Sequence, residues 1–367
     1  MIPIVAPARW FARHREQVDA ALAEVVAGGQ YILGPRVAGF ERAFAEFCAS
    51  AHAVAVASGT DAVTLALRAL GAAGKEVITS AHTAIATVAA IECAGAIPVL
   101  ADIHPHSLCL CPESVASLLS PRTRAIVAVH IFGHPADITG LRAVIGARDV
   151  ALVEDCAQAH GARIGTRPVG SFGAAGALSF YPTKNIGALG DAGAVVTADE
   201  HTAAVLRQLR QYGWDEDRCS QRRGQNSRMD ELQAAVLALR LADFPAAFAR
   251  RQHIAERYSR ALAGHPCVLA PETAPGVTHA FHLYVVRSPR RDELAAALQA
   301  AGIETARHYA APVHRQGVYR GVARAGSLAQ VERLYAEMLS IPIYPELSDD
   351  EVDRICEALA GWRPGRN

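Results

Sequence analysis

Lys184 is one of only two lysines in the sequence, the other being Lys75; the remaining 34 of its 36 basic residues are arginines. A bias of this strength converts most surface lysines to arginine, since either cation keeps a surface soluble, so each lysine left invites a chemical explanation. Lysine offers a primary amine whose pKa can be lowered for Schiff-base formation, whereas a guanidinium stays protonated. Lys184 stands in Ser179-Phe180-Tyr181-Pro182-Thr183-Lys184-Asn185, ahead of Gly187, Gly190 and Gly193. Glycines let backbone approach a ligand closely, and small apolar neighbours disfavour an ammonium by desolvation. Lys75, in Gly74-Lys75-Glu76, reads as a turn charge.

Two further groups suit a ligand that carries phosphate and a basic ring. Ser58-Gly59-Thr60 follows an apolar run and opens a helix, where free N–H groups and the helix dipole favour an anion. A plain capped helix is the other reading, because Ser58, Thr60 and Asp61 all cap well. Asp155 ends the apolar run Ala151 to Glu154, with Gln158 and His160 following. A carboxylate there is costly without a cationic or hydrogen-bonding partner. That partner is either a protonated pyridine nitrogen, which makes a pyridoxal ring an electron sink, or the start of the next helix.

Other chemistries lack their motifs. No GxGxxG is present, Gly71 to Lys75 lacks the spacing of a phosphate loop, and Val169 stands where a nucleophile elbow around Ser171 needs glycine. His104, His106, Cys109 and Cys111 match no zinc spacing, so an ordinary loop and strand are expected there, with no metal.

The elements that must position these residues follow from the apolar runs. Ala53–Ala57, Glu76–Thr79, Ile97–Ala101, Ala125–His130, Ala151–Glu154, Ala177–Phe180 and Gly193–Thr197 are rich in Val, Ile and Ala without alternation, as in strands covered on both faces. Helical periods lie between the earlier runs, at Thr60–Leu70, Ala84–Cys93 and Pro112–Leu119. This alternation predicts an α/β fold with a mainly parallel seven-stranded sheet and ligands at the carboxyl ends of its strands. Helical periods at Met229–Arg240 and Ala246–Leu262 flank Asp243–Pro245, which places a domain boundary between residues 1–243 and a smaller α+β domain, 244–367.

Composition narrows the partners. With 36 acidic and 36 basic residues the net charge is zero, and no basic stripe suggests nucleic acid. No apolar run reaches about 18 residues, so no membrane span is expected. The first 15 residues lack the apolar centre of a signal peptide, and the eight cysteines are scattered, which together predict a cytoplasmic protein with reduced thiols.

From Tyr31 onward the sequence resembles the DegT/DnrJ/StrS family of pyridoxal phosphate dependent sugar aminotransferases, of the fold type I architecture. The resemblance rests on Tyr31-Ile32-Leu33-Gly34-Pro35, Phe40-Glu41, Ser58-Gly59-Thr60-Asp61-Ala62 and Glu154-Asp155-Cys156-Ala157-Gln158-Ala159-His160-Gly161. It continues through Ser179 to Lys184, Gly190-Asp191, Gly224-Gln225-Asn226-Ser227-Arg228, His308-Tyr309 and Ile341-Pro342. It implies that Lys184 forms the Schiff base with pyridoxal 5'-phosphate and then moves protons, and that Asp155 holds the pyridinium. Gln158 would lie against the ring. Gly59, Thr60 and Ser179 would bind the phosphate, with Asn226 reaching it from the other subunit of a homodimer. Arg228, Tyr31, His308 and Tyr309 would line the substrate pocket. The family usually has an aromatic residue at Ala84, so His82 or another side chain is left to cover the ring, or the ring is held less tightly. Relatives that remove a hydroxyl carry histidine at the lysine position; here it is Lys184.

The activity implied is transfer of an amino group from L-glutamate or a similar donor to a keto group of a nucleotide-linked deoxysugar. Arg218, Arg222 and Arg223 are candidates for its diphosphate, or form a solvated loop. The alternatives are a cyclitol or other cyclic ketone as substrate, and a catalytically silent regulatory relative.

Overall fold

The computed structural model describes residues 1–320 and 324–365. Its centre is a sheet of β1 (His52–Val56), β2 (Glu76–Ser80), β3 (Ile97–Ala101), β4 (Thr123–Val129), β5 (Ala151–Asp155), β6 (Ala175–Ser179), β7 (Gly193–Thr197) and β8 (Arg324–Ala325). The order is β1-β7-β6-β5-β4-β2-β3-β8. Only β7 opposes its neighbours, pairing antiparallel with β1 and β6, while the other ladders are parallel. The carboxyl ends of β1, β2, β4, β5 and β6 therefore share one edge of the sheet, where the loops bearing Ser58, Asp155 and Lys184 meet. β2, β6 and β7 are buried throughout, which explains their unalternating sequences.

The sheet thus has eight strands where the sequence predicts seven. The additional β8 is two exposed residues laid along β3, too short to give a periodic signal. The sixth strand begins earlier than its apolar residues suggest, at Ala175. Gly176 belongs to it because the backbone of Gly170 crosses so closely that a Cβ there would lie 2.4 Å from the Gly170 oxygen.

A second correction concerns Pro245. The two helical periods on either side of it are one 31-residue helix, Glu231–Ala261, with Pro245 inside. A proline inside a helix removes one helical hydrogen bond and costs about 3 kcal/mol. Packing against the helices Arg15–Gly28, Pro35–Phe47 and Asp349–Gly361 offsets that loss. The helix joins two cores. Ala234, Leu237 and Phe244 pack with Phe40, Phe44 and Phe180 beside the sheet. Ile254, Ala255 and Tyr258 pack with Tyr284, Val286, Leu339 and Ile341, and with Ile2 from the start of the chain. By length and composition it is also the one helix among the described residues able to cross a bilayer. Here it carries Arg240, whose guanidinium lies 4.2 Å from the Trp10 ring centroid, and the buried Arg251.

Two glutamates, Glu231 buried and Glu41 partly buried, lock this half of the fold. Glu231 accepts the N–H groups of Gly34, Arg36 and Val37, each at 2.8 Å, and so caps the helix Pro35–Phe47. Glu41 accepts from Ala55 N–H at 2.8 Å and pairs with Arg210 at 2.5 Å, tying that helix to β1. These contacts account physically for the Gly34-Pro35 and Phe40-Glu41 stretches.

Candidate active site

The helix Gly59–Ala69 starts at the carboxyl end of β1, and Ser58 Oγ caps it by accepting the Asp61 N–H at 3.1 Å. Capping and anion binding are both served, because the N–H groups of the first turn have no intrahelical acceptor. They border a cavity of about 240 Å³ whose lining includes Gly59, Thr60, Asp155, Gln158, Ser179 and Lys184. Gly59 is required by the packing: a Cβ there would lie 2.4 Å from Ser179 Cβ. The same close approach puts the Ser179 hydroxyl beside the helix start.

Asp155 closes β5, nearly buried at 5% exposure. Its Oδ2 accepts from Thr87 Oγ1 at 2.8 Å and its Oδ1 from the Ala157 N–H at 3.1 Å. Glu154, one residue earlier, points to the opposite face, as strand geometry requires. There it accepts from Gly170, Phe172 and Gly173 N–H groups at 2.7 to 2.8 Å and from His130 Nε2 at 3.1 Å. His130 Nδ1 accepts the Ala136 N–H at 2.9 Å, so its proton sits on Nε2 facing Glu154. Burial alone would push the Glu154 pKa up, but these donors hold it below the ordinary carboxylate value. Ligand atoms of His130, Glu154 and Cys156 lie within 4.8 Å of one another, yet the histidine and carboxylate are already spent on these hydrogen bonds.

Lys184 rises into the cavity from a loop that folds back tightly on itself. A Cβ on Gly187 would meet the Pro182 oxygen at 2.4 Å, and Arg240 Nε donates to the Gly187 oxygen at 3.2 Å. Burial lowers the Lys184 pKa to about 8, against the pull of the nearby Asp155 charge. Lys75 is exposed in the turn before β2, at the other edge of the sheet.

Gln158 is fixed at both ends of its amide. Oε1 accepts the Phe132 N–H and Nε2 donates to Tyr309 Oη, each at 2.7 Å. Tyr309 is thereby tied to the cavity wall, and the neighbouring His308 is engaged through Nδ1 with Ser340 Oγ at 2.8 Å. His160 lies behind the site, its ring against Phe180 and its pKa driven down to about 3 by burial.

Other expected residues lie outside the cavity lining. His82 does not face it: the ring is buried edge-on to Phe132 and Tyr335, with Nδ1 3.3 Å from Tyr335 Oη. The wall at that stretch is Thr83, Ala84 and Thr87, and Tyr181 is the aromatic side chain in the lining. Tyr31, at 49% exposure, donates to the Val26 oxygen, Asn226 is exposed, and Arg228 is half-buried. Arg222 is bound to Gln208 at 2.7 Å and Arg218 lies over Trp214. His106 pairs with Glu272, Cys109 donates to the His134 oxygen and Cys111 to Glu113, so that quartet does not converge. Thr83, Thr87, Tyr181 and Asp191 line the cavity without having been given a role from the sequence. Tyr181 and Asp191 flank Lys184 and could have been read from that proximity, whereas nothing local ties Thr87 to Asp155.

A mainly parallel α/β sheet that gathers a lysine, a carboxylate and a helix N-terminus at one edge has the layout of a fold type I aminotransferase. The DegT/DnrJ/EryC1/StrS aminotransferase family model matches residues 12–360, and the chain belongs to that family. It is 45% identical over 350 residues to the dTDP-3-amino-3,4,6-trideoxy-alpha-D-glucose transaminase of Streptomyces venezuelae, covering 95% of this chain and 92% of that one. Its fold matches the crystal structure of S. venezuelae DesV in complex with a ketimine intermediate with a TM-score of 0.95 and 44% identity, over 98% of each chain. NtdA from Bacillus subtilis, solved with bound cofactor PMP, matches with a TM-score of 0.90 and 27% identity, over 98% of this chain and 84% of that one. The protein is an enzyme of the aminotransferase class.

Proposed function

We propose that the protein uses pyridoxal 5'-phosphate to move an amino group from L-glutamate or a similar donor to a keto group of a nucleotide-linked deoxysugar. The observation that carries this reading is the convergence of Lys184, Asp155, Ser179 and the helix start at Gly59 and Thr60 in one cavity. The donor set fits the cofactor. Backbone N–H groups and the Ser179 hydroxyl suit its phosphate, the Asp155 carboxylate suits a protonated ring nitrogen, and the Lys184 amine suits its aldehyde. When bound, the cofactor supplies an aldehyde for amine exchange and a ring that withdraws electrons.

The chain's own residues then have distinct tasks. With its pKa near 8, Lys184 has a useful neutral fraction at neutral pH, so Nζ can accept the proton from the donor's α-carbon and later return it. Asp155 stabilises positive charge at the ring nitrogen in both half reactions. Gln158 and Tyr309 form a rigid wall that orients whatever lies against them. Arg218, Arg222 and Arg223 are the cations proposed for a nucleotide diphosphate, with Arg228, Tyr31, His308 and Tyr309 toward the sugar or the donor carboxylate. The relative from S. venezuelae named above supports a nucleotide-linked substrate.

The site is completed in a homodimer under this proposal. Tyr31, Ile32, Leu189 and Leu232 expose an apolar face, and Ile32 bridges to Asp230 while the Leu189 N–H reaches Gln233, which makes the patch continuous. Under this proposal a second copy covers that face, and the exposed Asn226 of one subunit serves the cavity of the other. The change of core along the helix Glu231–Ala261 is compatible with two units, and the proposed boundary between residues 1–243 and 244–367 then falls inside that helix, with Ile2 and Arg324–Ala325 packing across it. Eight free cysteines suit a reducing cytoplasm.

Borohydride reduction of the cofactor-loaded enzyme followed by peptide mapping tests the central claim, with the label expected on Lys184. A label elsewhere, or full turnover by Lys184→Ala, defeats it. Incubating a panel of ketosugar nucleotides with glutamate and measuring 2-oxoglutarate identifies the acceptor. Equal turnover of a cyclic ketone without a nucleotide would reassign the substrate.

A further inference from the structure

We infer that Thr87 is a positioning residue for the transamination, the middle member of a buried hydroxyl chain from Thr83 that fixes the Asp155 carboxylate where it faces the cavity. The inference rests on the proposed pairing of Asp155 with the cofactor ring.

The direction of the chain follows from its chemistry. Thr87 Oγ1 lies 2.8 Å from Asp155 Oδ2, and an ionised carboxylate only accepts, so the Thr87 hydroxyl donates. Thr83 Oγ1 lies 2.8 Å from Thr87 Oγ1. With the Thr87 proton committed to Asp155, the proton in that second bond comes from Thr83. All three side chains are nearly excluded from solvent, at 1% exposure for Thr83, 2% for Thr87 and 5% for Asp155. Water is therefore a poor substitute for any member. The Ala157 N–H at 3.1 Å anchors Asp155 Oδ1, so each oxygen has one fixed donor and lone pairs left for a ligand.

The placement also has an architectural consequence. Thr83 lies in the loop after β2 and Thr87 in the first turn of the helix Ile85–Cys93, while Asp155 ends β5. β2 and β5 are not neighbours in the sheet, since β4 lies between them. The hydroxyl chain spans that gap at the edge where the cavity opens, so the carboxylate is held from a second strand end as well as its own. A carboxylate with both oxygens restrained needs less reorganisation when a cation arrives, the general basis of electrostatic preorganisation.

The test uses full-length apoenzyme reloaded with pyridoxal phosphate, comparing Thr87→Val, Thr87→Ser and Thr83→Val with the parent protein. Valine keeps the shape of threonine and removes the hydroxyl; serine keeps the hydroxyl. Thr87→Val is expected to weaken cofactor binding about tenfold, the size of a lost hydrogen bond to a charged group. At saturating cofactor it should lower kcat while leaving the KM for the amino donor nearly unchanged. Thr87→Ser should restore both values, and Thr83→Val should show a smaller loss in the same direction. The melting temperature of each apoenzyme separates positioning from folding, and Thr83→Val, which does not touch Asp155, keeps the test open should Thr87→Val not fold. The inference is overturned if Thr87→Val binds and turns over like the parent, if Thr87→Ser is as impaired as Thr87→Val, or if the losses merely follow a fall in apoenzyme stability. Asp155→Ala serves as the control. If it abolishes cofactor binding while Thr87→Val is silent, only the positioning role fails; if it too is silent, the Asp155 reading falls and the positioning role with it.

Discussion

Lys184 and Lys75 show how burial gives one side chain two fates. Desolvation in the cavity brings the Lys184 amine down to about 8, so its neutral, nucleophilic fraction grows as pH rises toward that value. The rate at which apoenzyme captures pyridoxal phosphate, followed by its visible absorption, should therefore climb through about pH 8 and level off above it. A rate independent of pH across that range would contradict the shift. Lys184→Arg should abolish turnover because a guanidinium cannot replace the amine, whereas the exposed Lys75→Arg should leave activity unchanged. Gly59 is a further test at this scale. Gly59→Ala places a methyl 2.4 Å from Ser179 Cβ, so the helix start or the serine must move, and cofactor affinity measured by titration should fall about tenfold or more.

Among the elements, strand β5 does two jobs by alternation, with Asp155 on the cavity side and Glu154 on the other. Glu154→Ala leaves three N–H groups and His130 without their acceptor in a buried site, at a cost of about 3 kcal/mol or more in chemical denaturation. The sign of its pH dependence follows from its depressed native pKa. The stabilisation is full above the ordinary carboxylate value of 4.5 and is lost as pH falls through the lower native value. Denaturation midpoints measured down the acid range should show this loss in the parent protein and not in Glu154→Ala. Strand positions were readable because doubly covered strands carry continuous Val, Ile and Ala. The differences came where local rules met tertiary packing: the predicted sixth strand starts at Ala177 and leaves out Gly176, against which Gly170 packs, and the boundary predicted at Asp243–Pro245 lies inside one helix that packs on three others.

At the scale of the whole molecule, the proposed shared site makes a prediction that no single-chain contact can. Lys184→Ala and Asn226→Ala enzymes should each be impaired, yet unfolding and refolding them together should recover activity, because one of the two sites in a mixed dimer then has both native residues. No recovery would place Asn226 in its own subunit's site or outside it altogether. Replacing Leu232, exposed on the apolar face, with glutamate should shift the protein toward monomer in size-exclusion chromatography and lower activity with it.

The sequence by itself determined the chemistry and the order of the elements. Lys184 stood out by residue type, Asp155 and Ser58-Gly59-Thr60 by their places after apolar runs, and the runs themselves by composition, all of which are local properties. Only the tertiary structure decided how the site is held together. Thr87 reaches Asp155 across 68 positions of sequence, Gln158 finds Tyr309 across 151, and His82 turns away from the cavity toward Tyr335. Such partners are set by which strand ends lie side by side in the sheet, and hydrogen bonds between distant segments leave no periodic trace along the chain.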